Sequence, residues 1–453
     1  MISEVVARQR AYFETGATKP LKARLEALRK LQNALRENET KLAGALMADL
    51  NKSPGESYMT EIGMVLEEVR YAIRHLRSWM KPRGVPTPLA HFHAKSFMVP
   101  EPYGLALVIS PWNYPVQLSL SPVVGAIAAG NCVVLKPSAY APATSHALAE
   151  LLGSIYDPGY VTVIEGGREQ NQALLTEKFD YIFFTGSVEV GRHVMECAAR
   201  NLTPVSLELG GKSPVIVDET ANLKTAAARV AFGKILNAGQ TCVAPDYVLV
   251  QNSVKDAFLK ELKAAMQACF PAYDECDLPH IVNAKHFERL MGLMKSGTVY
   301  FGGQADPETR HMSPVILNNV SPDDPVMQEE IFGPILPVLG FDTLNDAIAF
   351  VNARPHPLAL YLFTASRQTE KTVLERVPFG GGCVNDTIVH LANPGMGFGG
   401  VGESGMGSYH GKQSFDTFTH YKSILKKFNW LDLNMRYHPY NKTKEKMVRM
   451  LVK

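Results

Sequence analysis

The stretch "LNAGQTCVAPDYVLV", Leu236 to Val250, places Cys242 behind a Gly-Gln-Thr turn and ahead of Ala244-Pro245. A thiol attacks as the thiolate, which backbone N–H groups or a nearby cation stabilise. Taken alone, Cys242 reads more readily as an inert thiol than as a nucleophile. None of the thirteen histidines is set apart by its local sequence as a partner for a protease-type pair.

Four further segments carry groups with chemical potential. "VSLELGGKSP" puts Glu208 in an apolar strand before a Gly-Gly turn. If buried, its carboxyl would titrate high and suit a general base; if it follows strand alternation, it faces solvent. "LVISPWNYP" holds Trp112 and Asn113 between prolines. A buried amide there either polarises a substrate or satisfies its own loop. "VVLKPSAYAP" sets Lys136 at the carboxyl end of a strand, where doubly wound sheets bind ligands, although a solvated strand-end lysine is the plainer reading. In "FFTGSVEVGRHV" a strand ends at Thr185, Gly186 and Ser187 turn, and a helix begins with a second glycine at Gly191. Glycines admit a phosphate to the backbone, and a helix N-terminus offers N–H groups to it. The spacing is neither G-x-G-x-x-G nor a P-loop.

These groups need a scaffold. The first eighty residues are helical by pattern, as in "LKARLEALRKLQNALRENETKLAGALMADL". A connector or hairpin, "KPRGVPTPLAHFHAKSFMVPEP", follows with five prolines. Then strands and helices alternate: "LALVIS", "CVVLKP", "YVTVIE" and "YIFFTG", with helices near 116–129, 143–155 and 188–200. A second series begins at "PVIVD" and continues through "YVLVQ", "PVILNNV", "ILPVLGF" and "LALYLFTA", with helices near 222–238, 254–268, 284–296, 343–353 and 367–376. Apolar strands separated by helices imply parallel sheets covered on both faces. The fold class is therefore α/β, with two doubly wound units meeting around Leu207–Gly211. A strand-like "DTFTHYKSILKKF" and a basic tail complete the chain.

Length and composition agree. At 453 residues two or three domains are expected. A net charge of +2 gives no reason to expect nucleic acid. Six cysteines (Cys132, Cys197, Cys242, Cys269, Cys276, Cys383) form no CxxC pair and no zinc spacing, so no metal and no disulfide framework is expected, and a cytoplasmic location follows. The N-terminus is not a signal peptide. The uncharged run Tyr103–Leu135 is long enough to span a bilayer, but its prolines divide it into strand, loop and helix.

In order, "PWNYP", "LKPS", "FTGSVEVG", "LELGGKSP", "GQTCVAPDYVLV", "QEEIFGPILPV" and "NDTIVHLANPGMGFGGVGESGMGSYHG" resemble the NAD(P)-dependent aldehyde dehydrogenase superfamily across residues 111 to 411. "GQTCVAPDY", "GGVGESGMGSYHGKQSFDTFTH" and the short N-terminus are most similar to its class 3 branch, which includes fatty and aromatic aldehyde dehydrogenases. The resemblance implies that Cys242 is the nucleophile, that Asn113 and the Cys242 backbone N–H form the oxyanion hole, and that Glu208 activates water. It implies a cofactor, NAD or NADP, held by Ser110, Trp112, Lys136, Gly186, Ser187, Gly191, Gly210, Glu330 and Phe332. It further implies a cofactor domain of 1–80 and 101–208, a catalytic domain of 209–410, and a small β bridging element of 81–100 and 411–430 that joins a homodimer. Residues 431–453 are a tail whose basic end allows at most weak contact with an anionic membrane; no transmembrane segment is expected.

Two positions depart from the family pattern. Ala139 stands where a glutamate usually binds the ribose hydroxyls and disfavours a 2′-phosphate, so relaxed cofactor choice is expected. Val188 stands where threonine is frequent, with a modest effect expected. The implied substrate is a medium or long aliphatic or aromatic aldehyde. The competing readings are a CoA-acylating dehydrogenase, against which Glu208 argues, and a thiol hydrolase or silent binding protein on the same fold.

Overall fold

The computed structural model describes residues 2–270 and 278–452, which leaves Cys276 outside the described residues. Three helices, Ile2–Glu14, Leu21–Glu37 and Glu39–Leu50, open the chain, and a fourth long one runs over Gly63–Trp79. Leu28, Leu31, Leu35, Leu42 and Leu46 recur at helical spacing and are fully buried, so these amphipathic helices cover the first sheet.

That sheet has Leu105–Ile109 at its centre, with Cys132–Lys136 and Val161–Val163 on one side and Tyr181–Thr185 and Val205–Glu208 on the other, all parallel. Three of these strands, Leu105–Ile109, Cys132–Lys136 and Tyr181–Thr185, are buried at every residue, which is why they read as unbroken apolar runs. The chain lays strands outward from Leu105–Ile109 to one edge and then returns to start on its other side. This reversal leaves a crevice outside the carboxyl ends of Leu105–Ile109 and Tyr181–Thr185, the ligand-binding position of doubly wound sheets. The PWN loop and the Gly186-Ser187 turn leave from those two ends.

Pairing antiparallel with Val205–Glu208 is the short strand Gly405–Met406, where Gly405 lies opposite Glu208. A segment from the far end of the second unit thus returns to the first sheet. Gly405 permits this at φ 143, since a Cβ would stand 2.2 Å from the Leu207 carbonyl oxygen.

In the second sheet the order is Thr298–Phe301, Val315–Asn318, Ile335–Phe341, Tyr247–Gln251, Pro214–Val217, Ala359–Phe363, Gly381–Val384. Thr298–Phe301 is antiparallel to its neighbour and the remaining pairs are parallel. Helices Leu223–Ile235, Lys255–Cys269, Ala284–Leu293, Leu344–Asn352 and Arg367–Arg376 fall where the apolar periodicity predicts them. The strands Thr298–Phe301, Gly381–Val384 and Gly405–Met406 were not expected, because glycine or exposed positions interrupt their patterns.

The proline-rich connector forms Arg83–Val85 and Ala94–Pro102, which pair antiparallel; Thr419–Lys427 from the tail adds the third strand, from Thr419 opposite Pro102 to Lys427 opposite Ala94. Within the long apolar run, helix Gln117–Ala129 is buried at all 13 positions and ends in a left-handed Gly130. It is a core helix, and no helix among the described residues is long and apolar enough to cross a membrane.

Candidate active site

Helix Leu223–Ile235 gives way to three consecutive left-handed residues, Asn237, Ala238 and Gly239, with φ of 51°, 51° and 71°. Two non-glycine residues in that region are strained, so the surroundings must over-determine them. The Asn237 side-chain amide donates to the carbonyls of Asn113 at 2.8 Å and Gln240 at 3.1 Å, while its backbone N–H donates to Glu56 Oε1 at 2.8 Å. A Cβ on Gly239 would meet the Gly333 carbonyl oxygen at 2.3 Å. Gln240, fully buried, donates to the Asn237 and His280 carbonyls and accepts from Val282 N–H. Thr241 shares a 2.6 Å hydrogen bond with the Tyr114 hydroxyl. The turn delivering Cys242 is therefore fixed from several directions.

Cys242 is half-buried. Burial pushes its thiol above the ordinary range, and the nearby Glu330 and Glu208 carboxyls add to this. The N–H groups of Cys242 and Val243 act in the opposite sense. Backbone donors thus already lie beside the sulfur.

Asn113 is buried, and its Nδ2 donates to the Gln240 carbonyl at 3.0 Å. One amide hydrogen is thereby committed, which fixes the plane of the amide and the direction of the other. Trp112 packs edge-to-face on Phe332 with ring centroids 5.4 Å apart, and Phe332 is held at φ 50°.

Glu208 ends its strand only 2% exposed, so the solvent-facing alternative is excluded. Both carboxyl oxygens are buried without a hydrogen-bond partner, and burial holds the group well above the usual carboxylate range. Glu330 lies across the Gly210 turn: a Cβ on Gly210 would stand 1.9 Å from Glu330 Oε2. Burial, then the charge of Asp246, pushes the Glu330 carboxyl up to about 8, opposed by the Gly211 N–H, Lys212 and Arg289.

A clamp absent from the sequence reading sets this loop. Lys212 Nζ reaches Asp246 Oδ1 at 2.5 Å and the carbonyls of Val326 and Glu329, while Asp246 Oδ2 accepts from Ile331 N–H at 2.9 Å. Arg289 donates to the Glu330 and Ile331 carbonyls. Lys234, also unremarked in the sequence, is fully buried, and burial lowers it to about 8.

Lys136 is not a solvated lysine. It is buried, its Nζ donates to the Pro137 carbonyl at 2.6 Å, and burial lowers it to about 8. Ser110 N–H donates to the Lys136 carbonyl, and Ser110 Oγ shares a 2.6 Å hydrogen bond with Ser119. Across the crevice, Gly186 N–H is tied to the Glu208 carbonyl at 3.0 Å. Ser187 caps helix Val188–Ala199 by accepting from Val190 N–H. Gly191 has a packing reason of its own, since a Cβ there would stand 2.6 Å from Leu209 Cδ2. Among the described residues no group of His, Cys, Asp and Glu is arranged to hold a metal ion. Both Glu208 oxygens and Oε1 of Glu330 lack a hydrogen-bond partner among the described residues, and with the bare Gly210 turn and the buried Lys136 they fit a polar dinucleotide.

Two parallel sheets with a crevice at a strand reversal, and a thiol, an amide and an orphan carboxyl close to it, define the class as a doubly wound α/β enzyme. The sequence model of the aldehyde dehydrogenase family matches residues 1–424, and the chain belongs to that family. Within it, the similarity runs to class 3. The chain is 47% identical over 448 residues to the 4,4'-diaponeurosporen-aldehyde dehydrogenase of Staphylococcus aureus, covering 98% of this chain and 97% of that protein. It is 47% identical over 425 residues to aldehyde dehydrogenase family 3 member B1 of Bos taurus, covering 93% and 91%. A solved structure described as the substrate-bound state of Staphylococcus aureus AldH superposes with a TM-score of 0.98 at 46% identity, covering all of both chains.

Proposed function

We propose that this aldehyde dehydrogenase oxidises its substrate to the carboxylic acid through a thioester on Cys242. The observation that carries the reading is the convergence of three groups: Asn113 bonded two residues ahead of Cys242, and an orphaned Glu208 whose field reaches the same sulfur. The Cys242 thiol first gives its proton to solvent water, and the sulfur then forms a bond to the aldehyde carbon as the carbonyl electron pair moves to oxygen. The free Asn113 N–H and the Cys242 backbone N–H receive that oxyanion. Lys136, Ser187, Glu330 and their neighbours would hold a nicotinamide dinucleotide, which would supply the acceptor for the hydride lost from that carbon. Glu208, once ionised, takes a proton from water; the hydroxide adds to the thioester, the C–S bond breaks, and acid and thiolate result.

Medium and long aliphatic or aromatic aldehydes are the substrates we assign. Support comes from the likeness to a relative named 4,4'-diaponeurosporen-aldehyde dehydrogenase. For the cofactor we assign relaxed choice between NAD and NADP, because Ala139 places no carboxylate where a 2′-phosphate would sit. The exposed strand Arg83–Val85 at the edge of the small sheet supports a homodimer bridged there, and unpaired thiols at the five described cysteines support a cytoplasmic setting. The test is aldehyde-dependent formation of reduced nicotinamide by purified protein. Turnover of at least one aldehyde between C2 and C16, or of benzaldehyde, is expected. No rate with any of them under either cofactor would contradict the reading.

A further inference from the structure

Against the main-chain carbonyl of Asn113 lies an ion pair drawn from the N-terminal helical region. Lys52 and Glu61 have side chains with no solvent exposure, and Lys52 Nζ sits 2.5 Å from Glu61 Oε1. Glu61 lies in a single π-helical turn, Tyr58–Ile62, a feature that recurs at functional sites. Removing two charges from water is costly, and a well-packed apolar pair is often as stable. The reason for charge here is visible in what else the two groups hold.

Lys52 Nζ donates to the Asn113 carbonyl at 3.2 Å and stands 4.3 Å from the centre of the Tyr114 ring. Glu61 Oε2 accepts from the N–H groups of Val116 at 2.7 Å and Gln117 at 3.3 Å, at the start of the buried helix Gln117–Ala129. The pair thus grips the backbone of the loop at both ends of the run from Asn113 to Gln117. The Asn113 carbonyl takes a second donor, Asn237 Nδ2, from the turn that carries Cys242. Two donors on one carbonyl fix its peptide plane, and with it the direction in which the Asn113 side chain leaves the backbone.

We propose that Lys52 and Glu61 are a positioning pair for the oxyanion donor, acting on the reaction through the orientation of Asn113. The inference rests on Asn113 having the role given above. Neither residue touches the substrate, and the pair adds no net charge to the site. Its action is geometric: a small rotation of the Asn113 peptide carries the amide hydrogen off the developing oxyanion, and misplacements of about 1 Å cost on the order of a hundredfold in rate.

The test compares Lys52→Met/Glu61→Gln, which leaves no unpaired buried charge, with the parent enzyme and with the same change in an Asn113→Ala background. Glu61→Asp, which keeps the charge pair but shortens the reach to Val116 N–H, serves as the second variant should the double change unfold. Turnover is expressed per folded protein, measured by circular dichroism and the amplitude of the thermal unfolding transition, so that a loss of folded protein does not count. The expected result is a fall in kcat of about tenfold with aldehyde KM little changed, shrinking to less than about twofold when Asn113 is already alanine. Effects that multiply in the Asn113→Ala background, or an unchanged kcat per folded protein, would overturn the proposal. Absence of turnover in the parent enzyme would instead overturn the dehydrogenase reading, and this inference with it.

Discussion

The side-chain amide of Asn113 donates to the main-chain carbonyl of Gln240 at 3.0 Å, joining segments 127 residues apart in the chain. One is the loop leaving the first sheet; the other is the strained turn that presents Cys242. A hydrogen bond contributes only about 1 kcal/mol to stability, but this one decides where an amide hydrogen points. Asn113→Ala is therefore expected to leave the melting temperature nearly unchanged while lowering kcat by about 10²–10³. Steady-state kinetics beside thermal unfolding checks this, and a kcat within tenfold of the parent would count against an oxyanion role.

Glu208 makes a pH prediction whose sign is fixed by its burial. A base works only when ionised, and burial holds this carboxyl well above the usual range. Thioester hydrolysis should therefore rise with pH along a limb lying well above that of an exposed carboxyl. Stability should move the other way. The folded state favours the protonated form, so this contribution is complete at acid pH and is lost as pH rises through the folded value. Glu208→Gln is thus expected to match the parent in denaturation at about pH 4 and to exceed it at about pH 9. A variant equally stable, or less stable, at the alkaline end would show that the carboxyl is not held in an unfavourable site.

Lys136 and Ala139 bear on the cofactor together. Burial lowers Lys136 to about 8, so its charge is present below that value and is lost as pH rises through it. If Lys136 holds the cofactor, KM for NADP should climb above about pH 8. If Ala139 lies beside the 2′ position, as proposed, Ala139→Glu should lower kcat/KM for NADP at least about tenfold relative to NAD. A parent enzyme already favouring NAD more than about a hundredfold would contradict relaxed choice.

At Gly210 the expectation is steric. Its Cα lies so close to Glu330 that an added Cβ would sit 1.9 Å from Oε2. Gly210→Ala must push the carboxyl aside against the Lys212–Asp246 and Arg289 clamp. A stability loss of about 1–3 kcal/mol, as for overpacking, is expected, together with a larger loss of turnover. Turnover equal to the parent would show that the placement of Glu330 is immaterial.

The sequence reveals much of the scaffold because each buried parallel strand is an unbroken apolar run and most ends in a glycine, proline or polar turn. Glu208 and Asn113 stand at or just beyond such ends and are legible for that reason, whereas Cys242 follows a helix and a strained turn and stands out only through the resemblance of its motif. The supporting groups are not legible. Lys52 and Glu61 look like ordinary charges on N-terminal helices, and only tertiary packing brings them to the Asn113 carbonyl. Lys212 reads as part of a glycine turn until Asp246 and the Glu330 loop close around it. Lys136 and Lys234 are ambiguous for the same reason: one strand or helix does not show what covers its lysine. The strand Gly381–Val384, two of its four residues glycine, breaks the apolar pattern and is recognised only by its place beside Ala359–Phe363.

The central claim is a covalent acyl group on one named sulfur. Glu208→Gln, incubated with an aldehyde and nicotinamide cofactor, quenched in acid and mapped by peptide mass, tests it most directly. The account requires the mass of the acyl group on the peptide containing Cys242, formed together with reduced nicotinamide and absent from Cys242→Ser. Reduced nicotinamide formed by Cys242→Ser at the parent rate, or an acyl mass found on another residue, would contradict it.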